Sequence, residues 1–508
     1  MYAQENLTVD IKESWYEKLE QWDDALEAYK RKLDELASVD SPQAMEERRE
    51  AMVGQLRCLN ALAEWEEIQR IYEAGNQANV DWDEYRNDVT TIAAKAAWHL
   101  GDWEQMAICT NQLDRDQNIR GRLPNADRVD AIGKHTSSVV NTTDCDFYKS
   151  ILAIRRGAQD EAREHLAAAR EMLGTELAAL VRESYDRSYG ALIRAQQLTE
   201  LDEVIEYAQL TAVASPAAAR RQEIIRKMWR DRIYLVKRDV EVWQELLQVR
   251  SLVLPMSEET DIWLKFASLN RKQGRDRQSR RTLLRLLEYD PIMCAEGKPG
   301  FGAGSGRPKV MFAFVKHLWH TGQKRQAFMR LQSLAHELRV QLENMRASGQ
   351  TETDHNKTVS RAFLKLGKWR WALTDSMNDE TLTDVLMAFR TATSADQHWS
   401  KAWHHWALFN ATAMEHFHRQ GGASTKDAMQ HVAPAICGFF RSISLAGSSM
   451  KAKGGSLQDI LRLLTLWFNH GGSPEVETAL IAGFGHVNID TWLAVIPQIV
   501  ARIHTHVL

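Results

Sequence analysis

The sequence predicts an all-α protein, an α-solenoid of tetratricopeptide-like and HEAT-like helical hairpins. Apolar residues recur at helical spacing from end to end, and only 10 prolines interrupt 508 residues. A short turn returns near the N-terminus as Leu19-Glu-Gln-Trp22, Leu62-Ala-Glu-Trp65 and Leu100-Gly-Asp-Trp103, with tryptophans 43 and 38 residues apart. That period marks αα-hairpins that bury their apolar faces only by stacking on neighbours. The length also exceeds what one compact core holds, as a repeat array would.

Taken in order, residues 1–112 carry these tetratricopeptide-like hairpins. Residues 113–144, with Arg120-Gly-Arg-Leu-Pro124 and Thr136-Ser-Ser-Val-Val-Asn-Thr-Thr143, predict a polar loop insertion. Helical hairpins resume over 145–215, as segments Ala158–Leu173 and Glu176–Gln196 and a further turn of hairpin at Leu201–Tyr207. Residues 216–291 predict a second tetratricopeptide-like set. Trp263 and Pro291 stand 28 residues apart, as the first aromatic and closing proline of that motif do, with Ala267, Ser279 and Leu283 at interior positions. Residues 292–308 form a Gly-rich loop without the Gly-Lys-Ser/Thr ending of a phosphate cradle.

Helices lengthen over 309–417, where the tryptophan turn returns as Leu366-Gly-Lys-Trp369 and Trp399, Trp403 and Trp406 share one face as an aromatic core. Residues 418–432 read as a short polar linker, and 433–508 as HEAT-like helices. There Leu457, Ile460, Leu461, Leu464 and Trp467 make one apolar stripe with Asp459 and Arg462 outside it. Residues Ile489–Arg502 are apolar nearly all round, so they predict a buried helix, kinked or split at Pro497.

Net charge is −4 but unevenly spread. Residues 1–110 hold 24 acidic against 11 basic residues, and residues 211–310 hold 20 basic against 12 acidic. Solvated helix faces account for such clusters, and no nucleic-acid-binding fold accompanies the basic one. No apolar run of about 18 residues predicts a transmembrane helix, and the N-terminus lacks a secretory pattern. Five cysteines without Cys-x-x-Cys spacing point to a reducing compartment rather than a disulfide or zinc framework. Adjacent His404 and His405 diverge on a helix, so they do not make a metal pair. No kinase base Asp with its downstream Asn, and no Asp-Phe-Gly, occurs, so this chain is not expected to be an enzyme by itself.

Three segments carry a resemblance: Pro434-Ala-Ile-Cys-Gly-Phe-Phe-Arg-Ser-Ile-Ser-Leu445, Leu457–Phe468 and Ile489–Arg502. Together with residues 183–192 and 401–409 they resemble the FAT domain of target-of-rapamycin (TOR) serine/threonine kinases, members of the PI3K-related kinase family. The resemblance implies a scaffold that clamps the protein's own kinase domain in cis and meets other TOR complex subunits. It places the protein in the cytoplasm, with endomembrane association through partners. ATP and Mg would belong only to the kinase domain.

Basic residues also pair at helical spacing: Arg361 with Lys365, Lys316 with His320, and Lys265 with Lys272 two turns on. Like charges so placed repel unless an anion is shared. By resemblance, Arg238, Lys265, Lys272, Lys316, Arg361, Lys365 and Lys401 would hold a structural inositol hexakisphosphate. Arg238 precedes Val-Glu-Val-Trp, Arg361 and Lys365 form Arg-x-Phe-Leu-Lys, and Lys401 opens Lys-Ala-Trp. His320 departs, standing where many relatives have lysine. The rival reading is a free-standing tetratricopeptide adaptor whose basic groove binds acidic peptides. The apolar end at Ile503–Leu508 favours the kinase scaffold, since a terminal repeat needs a polar outer face.

Overall fold

The computed structural model describes residues 13–502 apart from 40, 79, 81, 83, 84, 122–137, 214, 295–306, 350–352, 375–377, 421–423, 448–452 and 494. The centre of the expected 113–144 insertion, most of the Gly-rich loop and Ile503–Leu508 therefore lie outside the described residues. The protein is 86% helical without strands among the described residues. It divides into two compact units, Met1–Thr282 and Leu283–Leu508.

The first unit holds α1 (Glu13–Lys18), α2 (Trp22–Leu36), α3 (Pro42–Leu62), α4 (Trp65–Gln77), α5 (Arg86–Leu100), α6 (Trp103–Gly121), α7 (Ser138–Arg156), α8 (Gln159–Glu183), α9 (Tyr185–Ala212), α10 (Pro216–Leu235), α11 (Val240–Arg250) and α12 (Thr260–Lys272). α13 (Asp276–Leu287) runs across the division. The recurring turn has one physical basis. Its second residue is left-handed each time, at φ 57° for Glu20, 58° for Ala63 and 77° for Gly101. The next amide then reaches back to close the preceding helix: Gln21 to the Tyr16 carbonyl at 3.0 Å, Glu64 to Leu59 at 3.0 Å and Asp102 to Ala97 at 2.9 Å. Tryptophan follows as the first residue of the return helix. Gly157, Gly274 and Gly322 make the same left-handed closure without tryptophan.

Leu366-Gly-Lys-Trp369 does not make this turn: Gly367 lies within one continuous helix, Thr353–Ala372. Its missing side chain serves packing instead, since a Cβ there would sit 2.7 Å from the Phe389 ring. Three other boundaries differ from expectation. The break near Leu173 falls at Ser184, because Gly174 stays helical, and Leu201–Tyr207 continues α9 instead of opening a hairpin. The insertion is narrower than 113–144, since α6 reaches Gly121 and α7 starts at Ser138. Polar and β-branched composition concealed those helix ends.

In the tetratricopeptide-like unit, Ala267 and Ser279 are buried as expected, and the Ser279 hydroxyl donates to the Ala267 carbonyl at 2.9 Å. The opposite charges of the two segments meet inside the first unit, where Arg281 pairs with Glu64 at 3.2 Å and Glu66 at 2.8 Å, more than 200 residues apart in the chain. Lys95 pairs with Glu245 at 3.1 Å in the reverse sense.

Gly54 on α3 leaves room for the Tyr29 ring of α2: a Cβ there would meet its ring atoms at 2.3–2.8 Å. Helix propensity alone favours Gly54→Ala by about 1 kcal/mol, but overpacking a filled core costs about 1–3 kcal/mol. Tyr29 is only 5% exposed. Gly54→Ala is therefore expected to lower the urea midpoint. A higher midpoint would show that the ring has room to move.

The second unit continues from α13 through α14 (Pro308–His320), α15 (Lys324–Ala347), α16 (Thr353–Ala372), α17 (Asp379–Ala395), α18 (Ser400–Gln420), α19 (Ser424–Gly447), α20 (Lys453–His470), α21 (Pro474–Phe484), α22 (Ile489–Leu493) and α23 (Ile496–Arg502). The expected 418–432 linker is mostly helix: Ala428 and Val432 are buried and extend the apolar face of Ala435 and Ile436. The split near Pro497 is observed, but the burial is not. Ile489, Leu493 and Val500 are 71%, 56% and 53% exposed. α20 is also rotated from the expected stripe, so Leu457 and Leu461 face solvent and Asp459 is buried. No helix among the described residues is long and apolar enough to cross a membrane.

Candidate anion-binding site

The seven predicted basic residues are divided between the units, Arg238, Lys265 and Lys272 in the first and Lys316, Arg361, Lys365 and Lys401 in the second. In the first unit all three are exposed. Lys265 Nζ donates to the Tyr234 hydroxyl at 2.6 Å and lies 4.1 Å from its ring centre, so the ammonium is steered by an aromatic face. The carbonyl of Arg238 accepts from Gln273 Nε2 at 3.4 Å, which ties the connector before α11 to the end of α12 beside Lys272.

In the second unit Lys316 is half-buried with Nζ 4.4 Å from the Phe312 ring centre. Arg361 is exposed about midway along α16. The hydrogen bond from Lys309, aided by the charges of Lys309, Lys357 and Arg361, holds the Asp354 carboxyl below its usual range. Lys365, one turn after Arg361, places Nζ 5.9 Å from the Trp369 ring centre.

The residues that sequence reasoning missed lie beside Lys365 and Lys401. Lys368 Nζ is 3.2 Å from His405 Nε2. An ammonium has no lone pair, so it donates and the imidazole accepts, which makes His405 neutral with its proton on Nδ1. Burial and then the charge of Lys401 hold the Lys368 ammonium below the lysine range. Burial, then Lys368 and His404, push His405 down to about 3, with Lys365 acting in the same direction. The spacing was visible: Lys368 follows Lys365 by three positions and His405 follows Lys401 by four. What the sequence did not display is the packing of α16 on α18. His404 bonds to Asp459 at 2.8 Å, while its ring still meets that of His405 edge-on with centres 4.9 Å apart, closer than the expected divergence. Among the described residues no cluster of His, Cys, Asp and Glu could hold a metal ion.

Stacked helical hairpins that bury their apolar faces against one another define an all-α repeat scaffold. The FAT domain family matches residues 90–465, and the chain belongs to that family. Serine/threonine-protein kinase TOR of Arabidopsis thaliana is 43% identical over 99% of this chain. The kinase TOR2 of Saccharomyces cerevisiae is 35% identical over 99% of it. The serine/threonine-protein kinase ATR of Arabidopsis thaliana is more distant, 22% identical over 83%. The similarity is thus to the FAT region of TOR kinases from end to end, and the chain spans 20% of the length of those TOR relatives.

Proposed function

We propose that this chain is the FAT scaffold of a TOR-type serine/threonine kinase, packing against a kinase domain in cis and binding an inositol polyphosphate structurally. The observation that carries the anion reading is the contact of Lys368 with His405 at 3.2 Å, with Lys365 acting on His405 and Lys401 on Lys368, where burial and like charge act together against protonation. A polyanion relieves that repulsion and forms charge-assisted hydrogen bonds. Lys316 and Arg361 of the same unit are proposed to join it on the strength of the resemblance. Docking to the kinase domain is supported by the exposed apolar residues of α21 to α23, among them Ile481 at 72% and Ile489 at 71%. TOR complex subunits, and a cytoplasmic location with endomembrane association through them, belong to the same proposal.

The test is inositol hexakisphosphate added to the full chain. A ligand that binds only the folded state stabilises it by about 2.7 kcal/mol at 100 times its Kd, so the melting temperature should rise. Lys365→Glu should weaken binding at least about tenfold, because one charge-assisted hydrogen bond contributes about 1.5–3 kcal/mol. An equal shift in Lys365→Glu would mean generic anion binding and end this reading.

A further inference from the structure

We infer that Lys368 and His405 are anion-site residues that act as a proton-accepting pair: they share one proton charge when the site is empty and take up a second when a polyphosphate binds. The inference rests on the anion reading above and adds both its missing members and its chemistry.

The geometry sets the starting state. Lys368 Nζ donates to His405 Nε2 at 3.2 Å, so one of the pair is charged and the other neutral. Phe389 of α17 lies beneath the imidazole, with ring centres 6.2 Å apart and planes at 22°, which shields that side from water. The charged and titratable groups acting on His405 come from three helices: Lys365 and Lys368 of α16, His404 of α18 and Asp459 of α20. Lys401 of α18 acts on Lys368. The one carboxylate among them is already committed, accepting from His404 at 2.8 Å and from Ser442 at 2.8 Å. Every other neighbour opposes a second proton.

A phosphate group seated over Lys365, Lys368 and Lys401 reverses that balance. Its oxygens accept from the lysines, which draws the Lys368 ammonium off His405 Nε2. The freed nitrogen lone pair then faces an anion and takes a proton from solvent, and the resulting imidazolium N–H donates to phosphate. The pair changes from one positive charge to two with no other bond made or broken. Two ionisable groups this close titrate together, so the uptake belongs to the pair.

Isothermal titration of the full chain with inositol hexakisphosphate at pH 6, in buffers of low and high ionisation enthalpy, counts the protons taken up. The ligand's own phosphates also exchange protons, so the quantity read is the difference between the unaltered chain and His405→Gln. We expect the unaltered chain to take up about three-quarters of a proton more at that pH, following the histidine reference value of about 6.5. Lys368→Gln should bind at least about tenfold more weakly and Lys368→Arg should restore most of that loss. Circular dichroism establishes that each variant is folded. Equal proton counts for the unaltered chain and His405→Gln, or unchanged affinity in Lys368→Gln, overturn the inference. If either is seen while Lys365→Glu still binds weakly, the anion site stands without this pair. If Lys365→Glu also binds normally, both readings fall.

Discussion

Glu200→Ala is expected to destabilise the first unit by about 3–5 kcal/mol, the range for removing one partner of a buried ion pair. Glu200 and Arg250 are 0% and 2% exposed and pair through two bonds, at 2.8 Å from Nε and 2.7 Å from Nη2. Gln196 also donates to the carboxylate, at 3.0 Å. Without Glu200 the guanidinium remains sealed between α9 and α11, 5.9 Å from the Trp229 ring centre. The measurement is urea unfolding of the full chain followed by tryptophan fluorescence, reading the transition that contains Trp229. Glu200→Leu combined with Arg250→Met is the informative companion. Apolar side chains of similar volume often replace a buried pair without loss, so the double variant should recover most of the stability. A Glu200→Ala midpoint within error of the unaltered chain would show that water reaches Arg250.

Helical class and hairpin stacking were legible because both follow from local pattern. Leu100-Gly-Asp-Trp103 and Leu366-Gly-Lys-Trp369 mark where that legibility ends. The same short motif closes a helix at Gly101, where φ is 77°, and continues one at Gly367, where the Phe389 ring needs the space. Local sequence cannot distinguish a glycine kept for its backbone from one kept for a neighbour on another helix. The cationic cluster divides in the same way. Lys365 and Lys401 were found through resemblance, whereas Lys368 and His405 acquire their character only from being packed together and partly dried. Asp459 looked solvent-facing because a carboxylate lies outside any apolar stripe, and its burial depends on partners 17 and 55 residues away.

Those partners make Asp459→Ala the second large expected effect, a loss of about 2–4 kcal/mol in the second unit. Asp459 is 2% exposed. It accepts from His404 Nδ1 at 2.8 Å and from the Ser442 hydroxyl at 2.8 Å, and Arg462 approaches at 3.5 Å. One carboxylate therefore fastens α18, α19 and α20 together. Its removal leaves two donors without their acceptor, and each buried unsatisfied polar group costs about 1–3 kcal/mol. Ser442 is 4% exposed and has little access to water, whereas His404 is half-buried and recovers part of its solvation, which sets the range below the full sum. Asp459→Asn keeps one acceptor oxygen and should lose about half as much. Ser442→Ala in the Asp459→Ala background should add almost nothing, since the hydroxyl has already lost its partner. Thermal unfolding of the unaltered chain, Asp459→Asn, Asp459→Ala, Ser442→Ala and the double variant completes the comparison. Additive losses for Ser442 and Asp459 would show that the two side chains stabilise the helices independently.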